Sequence, residues 1–447
     1  MPGSTAERGI PMKSPVKIGV MCLARTTFDY HAAKRIFDAK KEELRKIENV
    51  QWKIVEDLVI EPEEAEKASK RLAAEDPDGV VLISGTFHLG HLALIANKYL
   101  SVPILLWAFN ELPYNGGKIR LNSVCGLNLN ASNLYKAGND SFLYHIGDEM
   151  DEKWIDALRM HAILRNSHVG IAGYRAHGFF NLDVEDLSVY RRLGILLDHY
   201  EIADLFQKAP PESGDTAEKL RHTYDCSGIT EAQVRKTGAL ADSIEEFMQA
   251  NRLDALAVRC WPEFASVYGV APCGAMSYLA SKGYILGCEG DVEGTLSILA
   301  GKAVADRVPF LADLSQVNFE EDCALLWHCG VASPTLWDGE CGLSLDTYFA
   351  GGKGVTSDFV MKSGEITIFR IDTARGKTRL FLEKGRAVPM EKLLRGTYAK
   401  VLFDKPVRDV LDAVLSSGVA HHVAMIYGDH TEALRDFAHM EGFEVLT

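Results

Sequence analysis

The stretch Val16-Lys-Ile-Gly-Val-Met-Cys-Leu23, followed by FDYHAAKRIFDAKKEELRKI at 28–47, decides the fold class. A short apolar run rich in β-branched residues reads as a buried strand. The charged segment after it, with apolar residues three and four apart, reads as an amphipathic helix. The same pair recurs in WKIVEDLVI (52–60) with EEAEKASKRLAAE (63–75), and in DGVVLISG (78–85) with LALIANKYL (92–100), before the strand VPILLWAF (102–109). Alternating strands and helices build a parallel sheet covered on both faces, so 16–165 is expected to be an open, doubly wound α/β domain.

A second set opens with SHVGIAGYRAHGFF (167–180) and continues through LGILLDHYEIADLF (193–206). The helix ITEAQVRKTGALADSIEEFMQANR (229–252), the strand DALAVRCW (254–261) and the helix CGAMSYLASKG (273–283) complete it. It predicts a second doubly wound domain over 166–305. AGGKGVTSDF (350–359), GEITIFRIDT (364–373) and KTRLFLEKG (377–385) then read as strands separated by turns, ahead of a last α/β piece at 407–428. Residues 306–447 are therefore expected to form a smaller, β-rich, barrel-like C-terminal domain, and 1–15 a loose tail.

The 447 residues carry 48 Lys+Arg against 62 Asp+Glu, a net charge of −14, and 47% are hydrophobic. Such a chain is long enough to bury proper cores, so it needs no disulfide or structural metal to fold. The acidic balance argues against nucleic-acid or anionic-membrane partners. Nine cysteines form no C-x-x-C pair, and the N-terminus lacks the apolar stretch of a secretory signal, so the expected compartment is the cytoplasm.

Several chemistries lack their motifs. No G-x-G-x-x-G follows the first strand, and the text from Gly294 to Lys302-Ala303 has neither Walker spacing nor a hydroxyl after the lysine. H-E-x-x-H, G-x-S-x-G and zinc-type cysteine spacings are absent as well. What remains is a set of carboxylates and imidazoles at strand ends, where α/β sheets bind ligands. Glu289 and Asp291 close the strand in GYILGCEGD (283–291), Asp313 ends VPFLAD (308–313), and His328 and the pair His421-His422 border apolar stretches. Two carboxylates with an imidazole suit Mn²⁺, Mg²⁺ or Fe²⁺. The same residue types also make turns and helix caps.

Six short motifs, taken in order, point further. They are Pro103-Ile-Leu-Leu-Trp-Ala-Phe109 with Leu121-Asn-Ser-Val-Cys-Gly-Leu-Asn128, Gly173-Tyr-Arg-Ala-His-Gly-Phe179, Cys288-Glu-Gly-Asp291, Phe310-Leu-Ala-Asp313, Trp327-His-Cys-Gly330, and His422 five residues before Tyr427-Gly428. In this order and spacing the chain resembles the L-fucose/L-arabinose isomerase superfamily, and more closely its shorter fucose-isomerase-like branch. The resemblance implies a divalent metal, commonly Mn²⁺, held by Glu289, Asp313 and His422, with His421 a neighbour. It implies that Glu289 and Asp313 move protons, and it marks His328, the counterpart of an arabinose-isomerase histidine, as a further site residue. It also implies a homo-trimer or homo-hexamer whose active site is closed by the first domain of a neighbouring subunit, where Arg25 and His88 would contact substrate.

The implied reaction is metal-dependent aldose–ketose isomerisation of an open-chain sugar through an enediol(ate). A charged sugar substituent would meet Arg25, Arg120 or Arg175. A non-catalytic sugar sensor, or a metal-dependent aldolase or epimerase, is the alternative.

Overall fold

The computed structural model describes residues 13–210, 213–347 and 352–447. Residues 1–12 of the expected tail, and the first two residues of the strand expected at 350–359, lie outside them. The chain divides into two compact units, one of residues 14–162 with 432–442, the other of 163–431 with 443–447.

In the first unit the strands are β1 (Val16–Leu23), β2 (Val50–Ile54), β3 (Gly79–Ser84), β4 (Ile104–Ala108) and β5 (Leu143–Ile146), all parallel in the order β2-β1-β3-β4-β5. All six residues of β3 are buried, as its unbroken apolar run requires of a strand covered on both faces. The helix Thr431–Glu441 also belongs here. It buries Leu434, Phe437 and Met440, and Glu441 pairs with His161 at 2.6 Å. The segment 306–447, expected to be one domain, is thus divided between the two units.

The second unit holds two sheets. A parallel one, ordered β7-β6-β8-β9, consists of β6 (Val169–Ala172), β7 (Leu197–Tyr200), β8 (Ala255–Val258) and β9 (Ile285–Gly287). Its strand order reverses between β6 and β8, which opens a crevice at their carboxyl ends. The other sheet has nine strands: β10 (Phe310–Asn318), β11 (Cys323–His328), β12 (Ser344–Thr347), β13 (Val355–Val360), β14 (Gly364–Ala374), β15 (Lys377–Val388), β16 (Thr397–Phe403), β17 (His422–Tyr427) and β18 (Glu444–Leu446). Their order is β12-β13-β16-β11-β10-β17-β14-β15-β18, and β15 pairs with β16 as well. That extra ladder closes six strands into a barrel filled by Phe310, Leu326, Ile368, Phe381, Val401 and Met425.

The helix Val292–Lys302 joins the two sheets. Its residues from Val292 to Gly301 are all buried, and it packs on β8, β9, β10, β14 and β17. A helix apolar on every side is stable only when enclosed in this way. Its N-cap is Asp291, which accepts from the Gly294 N–H at 2.9 Å and receives a bidentate pair from Arg370 of β14 at 2.7 and 3.0 Å. Arg370 and Asp291 are both 0% exposed. Removing one partner of such a pair strands a charge in the interior. Arg370→Met is therefore expected to lower unfolding free energy by about 3–5 kcal/mol in urea titrations. A loss below about 1 kcal/mol, the range of exposed pairs, would show that another group neutralises Asp291.

Candidate functional site

Residues at the carboxyl ends of β6, β8 and β9 meet one face of the barrel. Glu289, two residues beyond β9, has φ +63°, a left-handed conformation that a side chain adopts only when its surroundings impose it. Its carbonyl accepts from the Ala176 N–H at 2.8 Å, and the next N–H, from Gly290, reaches the Val258 carbonyl at 3.0 Å. Gly290 has φ +72°, and a Cβ there would lie 2.3 Å from the Tyr174 carbonyl oxygen, so only glycine lets the two loops approach this closely. The Gly173–Phe179 motif and the Cys288–Asp291 motif thus form one packed turn that aims the Glu289 carboxylate.

Asp313 and His422 are direct partners across β10 and β17. Register therefore places side chains that are far apart in sequence side by side. His422 Nε2 lies 3.5 Å from Glu289 Oε2 and 3.4 Å from Asp313 Oδ1, and His421 Nε2 lies 3.5 Å from Glu289 Oε2. The His328 and His422 rings are 5.3 Å apart. His421 is held by Asn181 at 3.1 Å and by an edge contact with Phe179.

Hydrogen bonding assigns the tautomers of the two buried rings. His422 Nδ1 donates to Asp291 Oδ2 at 2.8 Å, which leaves a lone pair on Nε2. His328 Nδ1 accepts the Cys329 N–H at 2.8 Å, so in the neutral ring its Nε2 carries the proton. Glu289 Oε2, His328 Nε2 and His422 Nε2 are buried without hydrogen-bond partners and lie within 4.8 Å of one another. Buried polar atoms in such a state call for a ligand. Asp313, His421 and His422 form a second set of donors equally close together. The carboxylate and imidazole donors around His422 fit a divalent cation of borderline hardness, with His328 N–H left to donate to a bound oxygen.

Burial raises the Glu289 carboxyl pKa, but His421, His422 and His328 outweigh it and hold the group below the usual glutamate value. Burial likewise opposes ionisation of Asp291, and the Arg370 guanidinium with His422 drives its pKa far below the ordinary aspartate value. Burial dominates at His422 and depresses its pKa in spite of Asp291. A cavity of about 770 Å³ opens beside Glu289, with Cys260, Trp261, Cys273, Trp327, Cys329 and Lys353 on its walls.

Of the residues singled out from sequence, Glu289 and His328 gather with His422 on one side and Asp313 with His421 and His422 on the other, so the two carboxylates belong to different donor sets that share His422. Arg25 and His88 belong to the other compact unit. His88 is fully buried there. Its Nε2 lies 3.2 Å from both Ser84 Oγ and Asn130 Nδ2, and its Nδ1 3.3 Å from the Leu89 carbonyl, so within this chain the ring serves as packed core. Arg25 is half-buried, its backbone N–H held by Thr86 Oγ1. Arg120 is engaged with Asp29 and Arg175 with Asp183. Arg370 was missed by the sequence reading, although a lone cation inside the apolar run ITIFRI of a strand was a usable signal.

The model of the Fucose/sulfoquinovose isomerase N-terminal domain matches residues 19–153, and that of the L-fucose isomerase C-terminal domain matches 340–447. A sulfoquinovose isomerase of Priestia aryabhattai is 29% identical over 435 residues, covering 94% of this chain and 97% of its own. Another, from Clostridium sp. (strain MSTE9), is 27% identical across 81% of this chain and 85% of its own. An L-arabinose isomerase of Geobacillus kaustophilus (strain HTA426) is 25% identical across 65% of this chain and 62% of its own. Among the described residues, no helix is long and apolar enough to cross a membrane. With both terminal domains matched and sugar isomerases aligned along almost the full length, the chain belongs to the fucose isomerase-like superfamily and is a sugar isomerase.

Proposed function

We propose that this chain interconverts an aldose and its ketose by moving a proton between C1 and C2 of the open-chain sugar, with Glu289 and Asp313 as the proton carriers. The observation that supports this most directly is the convergence of both carboxylates on His422 Nε2, at 3.5 and 3.4 Å. One carboxylate removes the proton from the carbon beside the carbonyl. The other carries the C2 hydroxyl proton to the C1 oxygen, and the cycle ends when the first returns its proton to C1 to form the new C–H. His328 Nε2–H donates to a substrate oxygen. Asp291, fixed by Arg370, keeps the His422 lone pair directed into the site.

In this reading Glu289, Asp313 and His422 hold a divalent cation, most readily Mn²⁺. When bound it would polarise the substrate carbonyl and stabilise negative charge on the two neighbouring oxygens. The substrate favoured is an aldohexose with an anionic group at C6. Near full-length similarity to sulfoquinovose isomerases supports it, as does Lys353 on the cavity wall. A homo-trimer or homo-hexamer in which a neighbouring subunit lends Arg25 belongs to the same reading.

Chelator-stripped protein is expected to lose ketose formation and regain it with Mn²⁺, sulfoquinovose being turned over ahead of L-arabinose and L-fucose. Glu289→Gln and Asp313→Asn should each lower kcat by about 10²–10⁴-fold. In D₂O, deuterium should enter C1 of the product. Sugar binding with no turnover and no metal dependence would favour a sensor, and shorter carbonyl products or a stereoisomer an aldolase or epimerase.

His422 must be neutral to act as a ligand, and its pKa lies below the ordinary 6.5. Mn²⁺ affinity by calorimetry should therefore persist at pH 6.5 and decline as pH falls further, as the ring takes up its proton. A decline centred above 6.5 would assign the titration to another group. Sedimentation equilibrium should report the oligomer, and Arg25→Ala should raise KM more than it lowers kcat.

A further inference from the structure

Four thiols gather beside the candidate active site, three of them on the wall of the cavity next to Glu289, although no two are neighbours in sequence. Cys260 stands two residues beyond β8, Cys273 is the first residue of the helix Cys273–Ser281, and Cys288 and Cys329 directly follow β9 and β11. Cys273 Sγ lies 3.7 Å from Cys329 Sγ, and Cys288 Sγ lies 3.1 Å from Cys260 Sγ. The sulfurs of Cys273, Cys288 and Cys329 are all within 4.8 Å of one another. None of the nine cysteines forms a disulfide.

We propose that Cys260, Cys273, Cys288 and Cys329 form a closed four-thiolate site for a thiophilic d¹⁰ cation such as Zn²⁺, separate from the carboxylate and imidazole centre. In a tetrahedral zinc site with Zn–S near 2.3 Å, the sulfurs lie ~3.8 Å apart. The Cys273–Cys329 edge, at 3.7 Å, already has that length. Cys260 touches Cys288 but stands outside the mutually close set of three, so to become the fourth ligand its sulfur must move off Cys288 by about 0.7 Å and in toward Cys273 and Cys329. Cys273 sits at the positive end of its helix, which favours a thiolate. Cys260, Cys273 and Cys329 line the cavity of about 770 Å³, which gives an ion its route inward. Soft sulfur donors prefer Zn²⁺ over Mn²⁺, so the two centres select different metals. The absence of C-x-x-C spacing made a zinc site unexpected from sequence. Spacing rules apply to ligands on one loop, and these come from four.

Such an ion would tie together the ends of β8, β9 and β11. Cys288 adjoins Glu289 and Cys329 adjoins His328, so it would fix the backbone on which both side chains stand. The test is titration of the reduced, chelator-stripped full-length protein with Cd²⁺, with excess Mn²⁺ present to occupy the other centre. A sulfur-to-cadmium charge-transfer band of four-thiolate intensity, saturating at one equivalent and accompanied by a higher Tm, is expected. Cys273→Ser and Cys329→Ser should each lose most of that band. Glu289→Gln and the exposed Cys125→Ser should retain it. A missing band in the wild-type protein would overturn the proposal, as would a band that survives both cluster variants. If a serine variant fails to fold, protection of four thiols from alkylation by one equivalent of Zn²⁺ in the wild type decides, and unprotected thiols overturn the proposal.

Discussion

The Asp291 carboxylate, enclosed in the second unit with no access to water, is the constraint on which the site depends. It caps the helix Val292–Lys302, accepts two hydrogen bonds from Arg370 and one from His422 Nδ1, and so joins a helix, two barrel strands and a site imidazole through one group. Arg370 in turn reaches Asp372 at 3.4 Å and the His422 carbonyl at 3.3 Å. Burying such charges costs several kcal/mol per ion before their attraction offsets it, so the network is not primarily a stabiliser. Its value is directional. It fixes which ring nitrogen of His422 is bare, a choice on which any role as a ligand depends.

Backbone strain complements that electrostatic arrangement. Glu289 keeps a left-handed φ because the loop after β6 packs against Gly290 and accepts no Cβ there. A conformation of this kind costs on the order of 1–3 kcal/mol and persists only where neighbours over-determine it. The closed barrel supplies the rigid side of the site, since the Asp313–His422 pairing cannot slip without moving β10 against both of its neighbours.

Much of this was legible in the chain. Strands such as VKIGVMCL and GVVLIS announce themselves as apolar runs between amphipathic helices, and the carboxylate at 289 is visible where such a run stops. Asp313, expected to end its strand, stands within it, because β10 continues to Asn318 in antiparallel ladders on both sides. Barrel closure was expected in outline, but the β15–β16 ladder depends on register, which no single strand encodes. Arg370 stayed hidden because a cation in a strand reads as a solvated position until both faces are known to be covered. The four thiols stayed hidden because they come from separate loops. The division of 306–447 between units could not be seen from local periodicity, since Thr431–Glu441 has the amphipathic pattern of any helix that packs on a sheet.

That division bears on how the protein is made. The chain completes β17, crosses to the first unit to lay down Thr431–Glu441 with its buried Leu434, Phe437 and Met440, and returns to add β18. Residues 14–162 therefore leave the ribosome lacking a piece of their own core, and they keep an apolar face uncovered until Thr431–Glu441 has been synthesised. Domains that fold as they emerge normally bury such surface early. Here a helix translated after β17 completes a unit whose strands were all translated before β6, which links the two units' maturation.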